Sequence, residues 1–196
     1  MILPLTGIER EAAIETIRSF HYTHSVTSGK SHYFRFESAL VCFSIPANKN
    51  IATFLGVSRV WELSRLWAPD GHEHNLLTRA ISSTAKAIAK IEKPDCLVSY
   101  ADPNAEHLGG VYRAASWIYL GQCEESRVYR SHDGFYRARR KFHSGKRGFT
   151  KAEIEANGFK QLKMPGKHRF VRPISNDGRR AIQGHPLFSK YNPQLP

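Results

Sequence analysis

The carboxylate of Asp102 is the group in this chain whose position is best suited to chemistry. Residues 96–100 form an apolar run that predicts a short strand, and Asp102 with Pro103 ends that strand and begins a turn. Residues 108–117 predict a helix. A carboxylate at the carboxyl end of a strand, before a helix, stands where ligands bind in open α/β sheets. Such an aspartate can act as a general base or can simply cap the helix, and position by itself favours capping.

Two further groups contain residue types that take part in catalysis. Arg65 lies in an apolar run, so its guanidinium needs an anionic partner, and Asp102 on the neighbouring predicted strand is a candidate. Such a pair can be structural or can orient an active site. His21 and Tyr22, followed by His24, could bind a metal ion or transfer a proton, although loop histidines are more often bystanders.

Several familiar catalytic motifs are missing from the sequence. His72-Glu73 lacks the cysteine pair that a zinc deaminase requires. Gly29-Lys30-Ser31 lacks the first glycine of a phosphate-binding P-loop, and no dinucleotide-binding glycine fingerprint occurs. A nucleophile elbow of the GxSxG type is also missing. These observations exclude the common NTPase, dehydrogenase and serine hydrolase classes.

The elements that must position these residues alternate between strands and helices. Residues 60–121 predict strand, helix, strand, helix, strand, with Asn75 as the cap of the long first helix. The length of the first connection is that of a βαβ crossover. The strands before it predict a hairpin that turns near Glu37. The fold class is therefore α+β, with an α/β-like core and a mixed, mostly antiparallel sheet that has a central βαβ unit.

The length of 196 residues and the hydrophobic content of 41% fit one domain with a basic extension. We predict a catalytic core over residues 1–126 and a basic, nucleic-acid-binding part over 127–174 that completes the same domain. Residues 175–196 are rich in Gly, Pro and Asn and predict an irregular tail. Cys42 and Cys96 lie in apolar runs and predict buried, reduced thiols. We see neither a bilayer-length apolar run nor a signal peptide, which favours a cytoplasmic protein without membrane contact.

Positive charge is concentrated in the last third of the chain. Residues 1–126 contain 12 lysines and arginines against 13 acidic residues, whereas residues 127–196 contain 17 against four. Such an asymmetry predicts a surface for a polyanion, a solvated tail or contact with an acidic membrane. Interleaved aromatic residues favour nucleic acid, because rings stack on bases while cations bind phosphates. These aromatic residues are Tyr129, Phe135, Tyr136, Phe142 and Phe149.

Four sequence blocks together resemble the Mom-type phage DNA modification proteins. The resemblance spans roughly residues 20–172. The blocks are Phe20-His21-Tyr22 with the Ser/Gly/Lys loop after it, Glu62-Leu-Ser-Arg65-Leu, Ser99-Tyr-Ala-Asp102-Pro, and Gly109-Gly-Val-Tyr112-Arg-Ala-Ala-Ser-Trp117-Ile-Tyr-Leu-Gly.

The resemblance implies a GCN5-related N-acetyltransferase-like fold, with a central βαβ unit and a splayed strand pair. It implies a phage-encoded transferase, active in the host cell, that converts adenine in double-stranded DNA to N6-carbamoylmethyladenine and so protects the DNA from restriction. The catalytic residues carried over are His21, Tyr22, Arg65 and Asp102, and iron is the implied metal, at His21 and Tyr22.

Further candidate residues accompany these four. We add Tyr112 to the catalytic set, and a stacking face for the adenine could come from Tyr22, Tyr112, Trp117 or Tyr119. The predicted DNA-binding residues are His24, Lys30, Arg137, Arg139, Arg140, Lys141, Lys146 and Arg147.

Two other functions compete with adenine modification. The first is a GCN5-type N-acyltransferase that uses acetyl-CoA on an amine or RNA substrate, and the second is a non-enzymatic nucleic-acid-binding protein. Residues 69–74 replace the usual glycine-rich pyrophosphate loop, so the donor is either acetyl-CoA or another activated small molecule. A splay between the strands beside the long helix would favour acyl-CoA, whereas an acidic loop at residues 70–74 would favour a different donor.

Overall fold

The structure, a computed structural model, describes residues 2–131, 136–138 and 150–192. The strands are β1 (Ser31–Phe36), β2 (Ala39–Ser44), β3 (Val60–Trp67), β4 (Cys96–Ala101), β5 (Ile118–Gln122), β6 (Ser126–Ser131), β7 (Tyr136–Ala138), β8 (Phe159–Met164) and β9 (His168–Pro173). The helices are α1 (Gly7–Phe20), α2 (Ile51–Leu55), α3 (Leu76–Glu92), α4 (Gly110–Ala114), α5 (Lys151–Ala156), α6 (Asn176–Gln183) and α7 (Pro186–Tyr191). A 3-10 turn, Pro103–Ala105, follows β4.

Six strands form the main sheet, in the order β1-β2-β3-β4-β9-β5. β3 and β4 run parallel and are connected through α3, whereas the other neighbouring pairs of this sheet are antiparallel. The predicted α+β class, with a mixed, mostly antiparallel sheet and a central βαβ unit, is confirmed. Because β9 lies between β4 and β5, the main sheet uses residues from both sides of position 126.

The long helix α3 follows its predicted apolar spacing. The residues that it buries against the sheet repeat every three or four positions, as an amphipathic helix requires: Leu76, Ala80, Ile81, Thr84, Ala85 and Ile88. Asn75 occupies the N-cap position of this helix, as predicted, and its carbonyl accepts from the Arg79 N–H at 3.0 Å. Its backbone is left-handed with φ of 64°, and its side chain makes no capping hydrogen bond.

Helices cover both faces of the main sheet. Neighbouring strand residues point to opposite faces. Phe34 and Leu97 pack in the cluster that contains α3 and α4. Tyr33 packs against α1, and Val98 packs against α2, α6 and α7, on the other face. Cys42 and Cys96 are buried free thiols, as predicted.

A second sheet lies between β5 and β9 in sequence. Its strand order is β7-β6-β8, and both neighbouring pairs are antiparallel. Helix α5 precedes β8 and begins with a capping box in which Thr150 and Glu153 satisfy each other's backbone N–H groups. The strongly basic segment 139–149 lies outside the described residues, and so do residues 132–135.

The segment predicted as an irregular tail contains two helices, α6 and α7, over its described part. Ser175 begins α6 by accepting from the Gly178 N–H at 3.0 Å, and its hydroxyl donates to Asp95 at 3.0 Å. Ile182 and Phe188 are buried against the sheet. Tertiary burial therefore orders a segment whose composition predicts a loop. Throughout the described part of the chain, every helix is too short or too polar to cross a bilayer.

Candidate active site at the ends of the parallel strands

The two parallel strands separate before they end. Residues 60–63 of β3 pair with residues 96–99 of β4, and the register stops there. Beyond this point β3 continues to pair with β2, and β4 continues to pair with β9. A gap therefore opens between the carboxyl ends of β3 and β4, where ligands bind in sheets of this kind. The splayed strand pair that the resemblance implies is present.

A β-bulge accompanies this separation. Cys42 on β2 is opposite Arg65, and Phe43 is opposite Leu63, so Ser64 is an extra residue in β3. The Ser64 hydroxyl donates to the Cys42 carbonyl at 3.2 Å. A bulge bends its strand and changes the face to which the following side chains point. The bulge at Ser64 therefore determines the face of the sheet to which the Arg65 side chain points.

Asp102 stands at the mouth of the gap and both caps the 3-10 turn and forms an ion pair. Its Oδ1 accepts from the backbone and the side-chain amide of Asn104, at 3.0 and 2.9 Å. Its Oδ2 lies 2.9 Å from the Lys167 ammonium, and 14% of the side chain is exposed. Partial burial alone would raise the pKa of Asp102, but Lys167 and Asn104 outweigh it and lower this pKa. The carboxylate is therefore charged at neutral pH.

The partner of Arg65 differs from the sequence prediction. Its guanidinium donates to the Ser25 carbonyl at 2.7 Å, to the Ser25 hydroxyl at 3.2 Å and to the Ser64 carbonyl. The cation that pairs with Asp102 is Lys167, so the predicted Arg65–Asp102 pair is wrong. The reason is the splay, because β3 and β4 diverge before either residue is reached. Arg65 instead ties the segment after α1 to the end of β3.

His21 and Tyr22 follow α1 and lie beside Arg65. Burial, together with the positive charges of Arg65 and His107, lowers the pKa of His21 to about 3, so the imidazole is neutral. Its Nδ1 accepts from the Thr23 N–H at 3.2 Å. The Tyr22 ring lies 4.5 Å from the His21 ring, centroid to centroid.

The phenol of Tyr22 is protonated at neutral pH. Although 43% of the residue is exposed, desolvation of its hydroxyl and the negative charge of Asp102 raise the pKa of Tyr22 to about 12. The His107 N–H donates to the Asp102 carbonyl at 3.0 Å, and the His107 ring lies 5.0 Å from the Tyr22 ring, which connects the last of the four carried-over residues to the cluster. His21, Tyr22, Arg65 and Asp102 thus come from three separate segments and meet at the strand ends.

His107 and Lys167 also belong to this cluster, and the sequence analysis missed them. The His107 ring meets the Tyr22 ring edge-on at 5.0 Å, and Lys167 forms the ion pair with Asp102. His107 lies five residues after Asp102 in the loop that follows β4, and this proximity in sequence could have indicated that it belongs to the site. Lys167 lies just before β9, and its place beside β4 depends on a strand pairing that local sequence does not specify.

Tyr112 lies beneath the gap rather than within the cluster. It is 7% exposed, its ring packs against Trp117 and Phe170, and burial raises its pKa to about 12. The Ser99 Oγ donates to the Leu63 carbonyl at 2.8 Å where strand pairing ends. Tyr112 and Trp117 are buried and offer little surface to a base, whereas 43% of Tyr22 is exposed.

The predicted DNA-binding residues have different positions. His24 is exposed next to the cluster, and its Nδ1 lies 3.0 Å from the Arg18 carbonyl. Lys30 pairs with Glu92 at 2.8 Å and lies over the Trp61 ring, several residues back along the sheet from Asp102. Arg137 is in β7. The remaining predicted residues, Arg139, Arg140, Lys141, Lys146 and Arg147, lie outside the described residues.

The donor set of this cluster does not fit the iron that the resemblance implies. Groups of three or more His, Cys, Asp or Glu side chains that could hold a metal ion are not found among the described residues. The cationic side chains of Arg65 and Lys167 add an electrostatic penalty for a metal ion. We assign no metal to this cluster.

Comparisons with known proteins place the chain in a family. A search of curated protein sequences gives no significant match. Among solved structures, a Bacillus subtilis acetyltransferase in complex with CoA is similar, with 7% identity, 89% of this chain and 97% of that chain covered, and a TM-score of 0.45. The NatC complex bound to Gag peptide and CoA is similar at 8% identity, with 89% and 98% covered and a TM-score of 0.46. The model of the Mom protein family matches residues 3–192. Because that match covers nearly all of the sequence, the chain belongs to the Mom protein family.

Proposed function

We propose that this chain transfers a two-carbon amide group to the N6 amine of adenine in double-stranded DNA, which gives N6-carbamoylmethyladenine. The observation that carries this proposal is the convergence of His21, Tyr22, Arg65 and Asp102 at the splayed strand ends. Membership of the Mom family supports the broader class, a phage DNA modification protein. Protection of the DNA from host restriction is the biological role that this class implies.

The chemistry requires a group that accepts a proton from a weak nucleophile. The lone pair of the adenine N6 amine is delocalised into the ring, and the amine is paired with thymine in the duplex, so the base must first leave the duplex to enter an active site. N6 then forms a bond to an electrophilic carbon of the donor. The donor's leaving group departs with its bonding electrons, and one N6 proton must move to a base.

Asp102 is suited to receive that proton. It is charged at neutral pH, and its contacts to Asn104 and Lys167 leave lone pairs on both carboxylate oxygens. Its lowered pKa makes it a weak base toward a neutral amine. It is strong enough for the far more acidic N6–H that develops as the new bond forms.

Arg65 acts as a positioning residue in this scheme. It donates two hydrogen bonds to Ser25 and so connects the segment that contains His21 and Tyr22 to the end of β3. The neutral imidazole of His21 is fixed by the Thr23 N–H. The protonated phenol of Tyr22 can donate a hydrogen bond to a ring nitrogen of the base or to the donor.

Double-stranded DNA is the partner that the charge distribution supports. The chain has a formal net charge of +12, and the excess comes from residues 127–196. Phosphate contacts from such a surface would position the duplex without reading its sequence. The second sheet leads directly into Lys167, so the basic part of the chain is connected to the cluster through a short return segment.

The test is nucleoside mass spectrometry of DNA from bacterial cells that express the chain. Wild-type protein should yield N6-carbamoylmethyl-deoxyadenosine, and Asp102→Asn should yield none at equal expression. Asp177→Asn is the matched control, because that carboxylate is 75% exposed on α6 and pairs with its own helix neighbour. Ordinary nucleosides alone from wild-type cells would contradict the proposal.

A GCN5-type N-acyltransferase that uses acetyl-CoA on an amine or RNA is the second candidate, and the splay between β3 and β4 favours it. The loop before α3 opposes it. Arg79 in the first turn of α3 is neutralised by Glu73 at 3.2 Å and by Glu37, so this cation is not free for a diphosphate. Saturable binding of acetyl-CoA in a calorimetric titration, together with only ordinary nucleosides in the DNA, would favour the second candidate. If the chain binds DNA but neither modifies adenine nor binds acetyl-CoA, it is a non-enzymatic nucleic-acid-binding protein.

A further inference from the structure

Three exposed side chains with apolar surface belong to the cluster or adjoin it: Tyr22 is a member, Phe20 precedes His21, and Leu108 follows His107. Phe20 is 69% exposed, Leu108 is 69% exposed and Tyr22 is 43% exposed. We call these three residues the apolar rim. Ile8, another exposed apolar residue on α1, lies about 18 Å from Phe20 along the helix and is not part of the rim. Exposed apolar surface that is gathered around a polar site usually marks a binding surface.

Hydrogen bonds and core packing anchor the backbone next to Phe20 and Leu108. Phe20 is the last residue of α1, the following N–H of His21 donates to the Ile17 carbonyl, and the Phe20 ring lies 6.0 Å from the Trp67 ring. Leu108 precedes Gly109, whose backbone presses on the core. A Cβ at Gly109 would lie 2.2 Å from the Phe170 ring. The exposed side chains are therefore presented in place before any partner arrives.

The space inside the rim is cationic. The charged side chains of the cluster are Arg65, Lys167 and Asp102, so two cations stand against one carboxylate. Asp102, the acidic residue in contact with Lys167, is already neutralised by that ion pair. An apolar border around a cationic centre complements a ligand that has a flat apolar face and a phosphate beside it. A nucleotide has both properties.

We propose that the apolar rim opens the duplex, with Phe20 and Leu108 inserted into the base stack and Tyr22 stacked on the extruded adenine. This inference rests on the proposed function and deepens it by assigning the residues that extract the base. Apolar wedges of this kind unstack base steps in other DNA-binding proteins. A base on the Tyr22 ring would lie close to Asp102, because the His107 ring contacts the Tyr22 ring and the His107 N–H donates to the Asp102 carbonyl at 3.0 Å.

The experiment compares two DNA duplexes of about 30 base pairs by fluorescence anisotropy. One duplex is fully paired, and the other contains a single central A·C mismatch, which makes the adenine easier to extrude. Wild-type protein should bind the mismatched duplex about tenfold more tightly than the paired one. Phe20→Ala combined with Leu108→Ala should remove this preference, and so should Tyr22→Ala.

A distant variant serves as the control. Ile8→Ala removes another exposed apolar side chain of α1 and should keep the preference. Equal binding of both duplexes by wild-type protein overturns the inference and leaves the proposed function standing. Failure to bind either duplex contradicts the proposed function itself. If the wild-type protein is a dimer and the Phe20→Ala variant is a monomer, the rim is a contact between copies of the chain, and the inference is overturned.

Discussion

Replacing Asp102 by alanine separates a catalytic carboxylate from a structural one. The substitution removes the acceptor of the Asn104 N–H and the partner of Lys167. Loss of a capping side chain costs about 1 kcal/mol. The ion pair contributes less than about 1 kcal/mol, because 46% of the Lys167 side chain is exposed to screening solvent. We therefore expect Asp102→Ala to lower the free energy of unfolding by about 1–2 kcal/mol.

That loss should leave the protein folded. For a chain of this length it corresponds to a decrease in Tm of about 3–6 °C, measured by circular dichroism or differential scanning fluorimetry. Adenine modification should fall by about 10²- to 10⁴-fold, the usual contribution of a general base. The two effects are thus of very different size, and one variant distinguishes them.

Asn104→Ala is the matched control for the Asp102 experiment. It removes the two side-chain contacts of Asn104, to Asp102 and to the Pro165 carbonyl, but keeps the carboxylate. Its Tm should fall by a similar amount while modification stays within about fivefold of wild type. The reasoning is refuted if Asp102→Ala lowers Tm by more than about 10 °C, or if the folded variant still modifies DNA at the wild-type level.

Three further predictions concern the frame of the site and its DNA partner. Asp95→Ala should cost about 2–4 kcal/mol, because Asp95 is 8% exposed and accepts two backbone N–H groups and a hydroxyl. Burial alone would raise the pKa of Asp95, but these donors lower it, so wild-type stability from this group is present above about pH 4 and is lost as pH falls through the folded-state pKa. Urea unfolding from pH 3 to 7 measures this, and a pH-independent difference between wild type and variant would contradict it. Gly166→Ala places a Cβ 1.9 Å from the Cys123 carbonyl and should cost more than about 2 kcal/mol in the same assay, whereas Gly110→Ala meets nothing within 4 Å and should be neutral. Charge reversal across residues 139–141 should weaken DNA binding and flatten its salt dependence, and an unchanged slope would remove this segment from the interface.

Much of the fold follows from local patterns in the sequence. The apolar spacing of α3 and the length of its connection predict the βαβ unit, because a parallel strand pair requires a crossover of that length. The strand that ends at Ala101, followed by Asp102 and Pro103, predicts a carboxylate at the sheet edge. The composition after residue 175 wrongly predicted an irregular segment. Ile182 and Phe188 are buried against the sheet, and a count of Gly, Pro and Asn does not show this.

Local sequence was enough to predict the strands and helices of residues 60–121, a carboxylate at the end of a strand, and the positive charge of the last third of the chain. These are properties of neighbouring residues, and local propensity and periodicity specify them. The tertiary structure alone decided the partners within the site. Lys167 reaches Asp102 because β9 inserts beside β4, and Arg65 turns to Ser25 because β3 and β4 diverge. Contacts between distant segments depend on how strands pair and separate, and no local pattern encodes that arrangement.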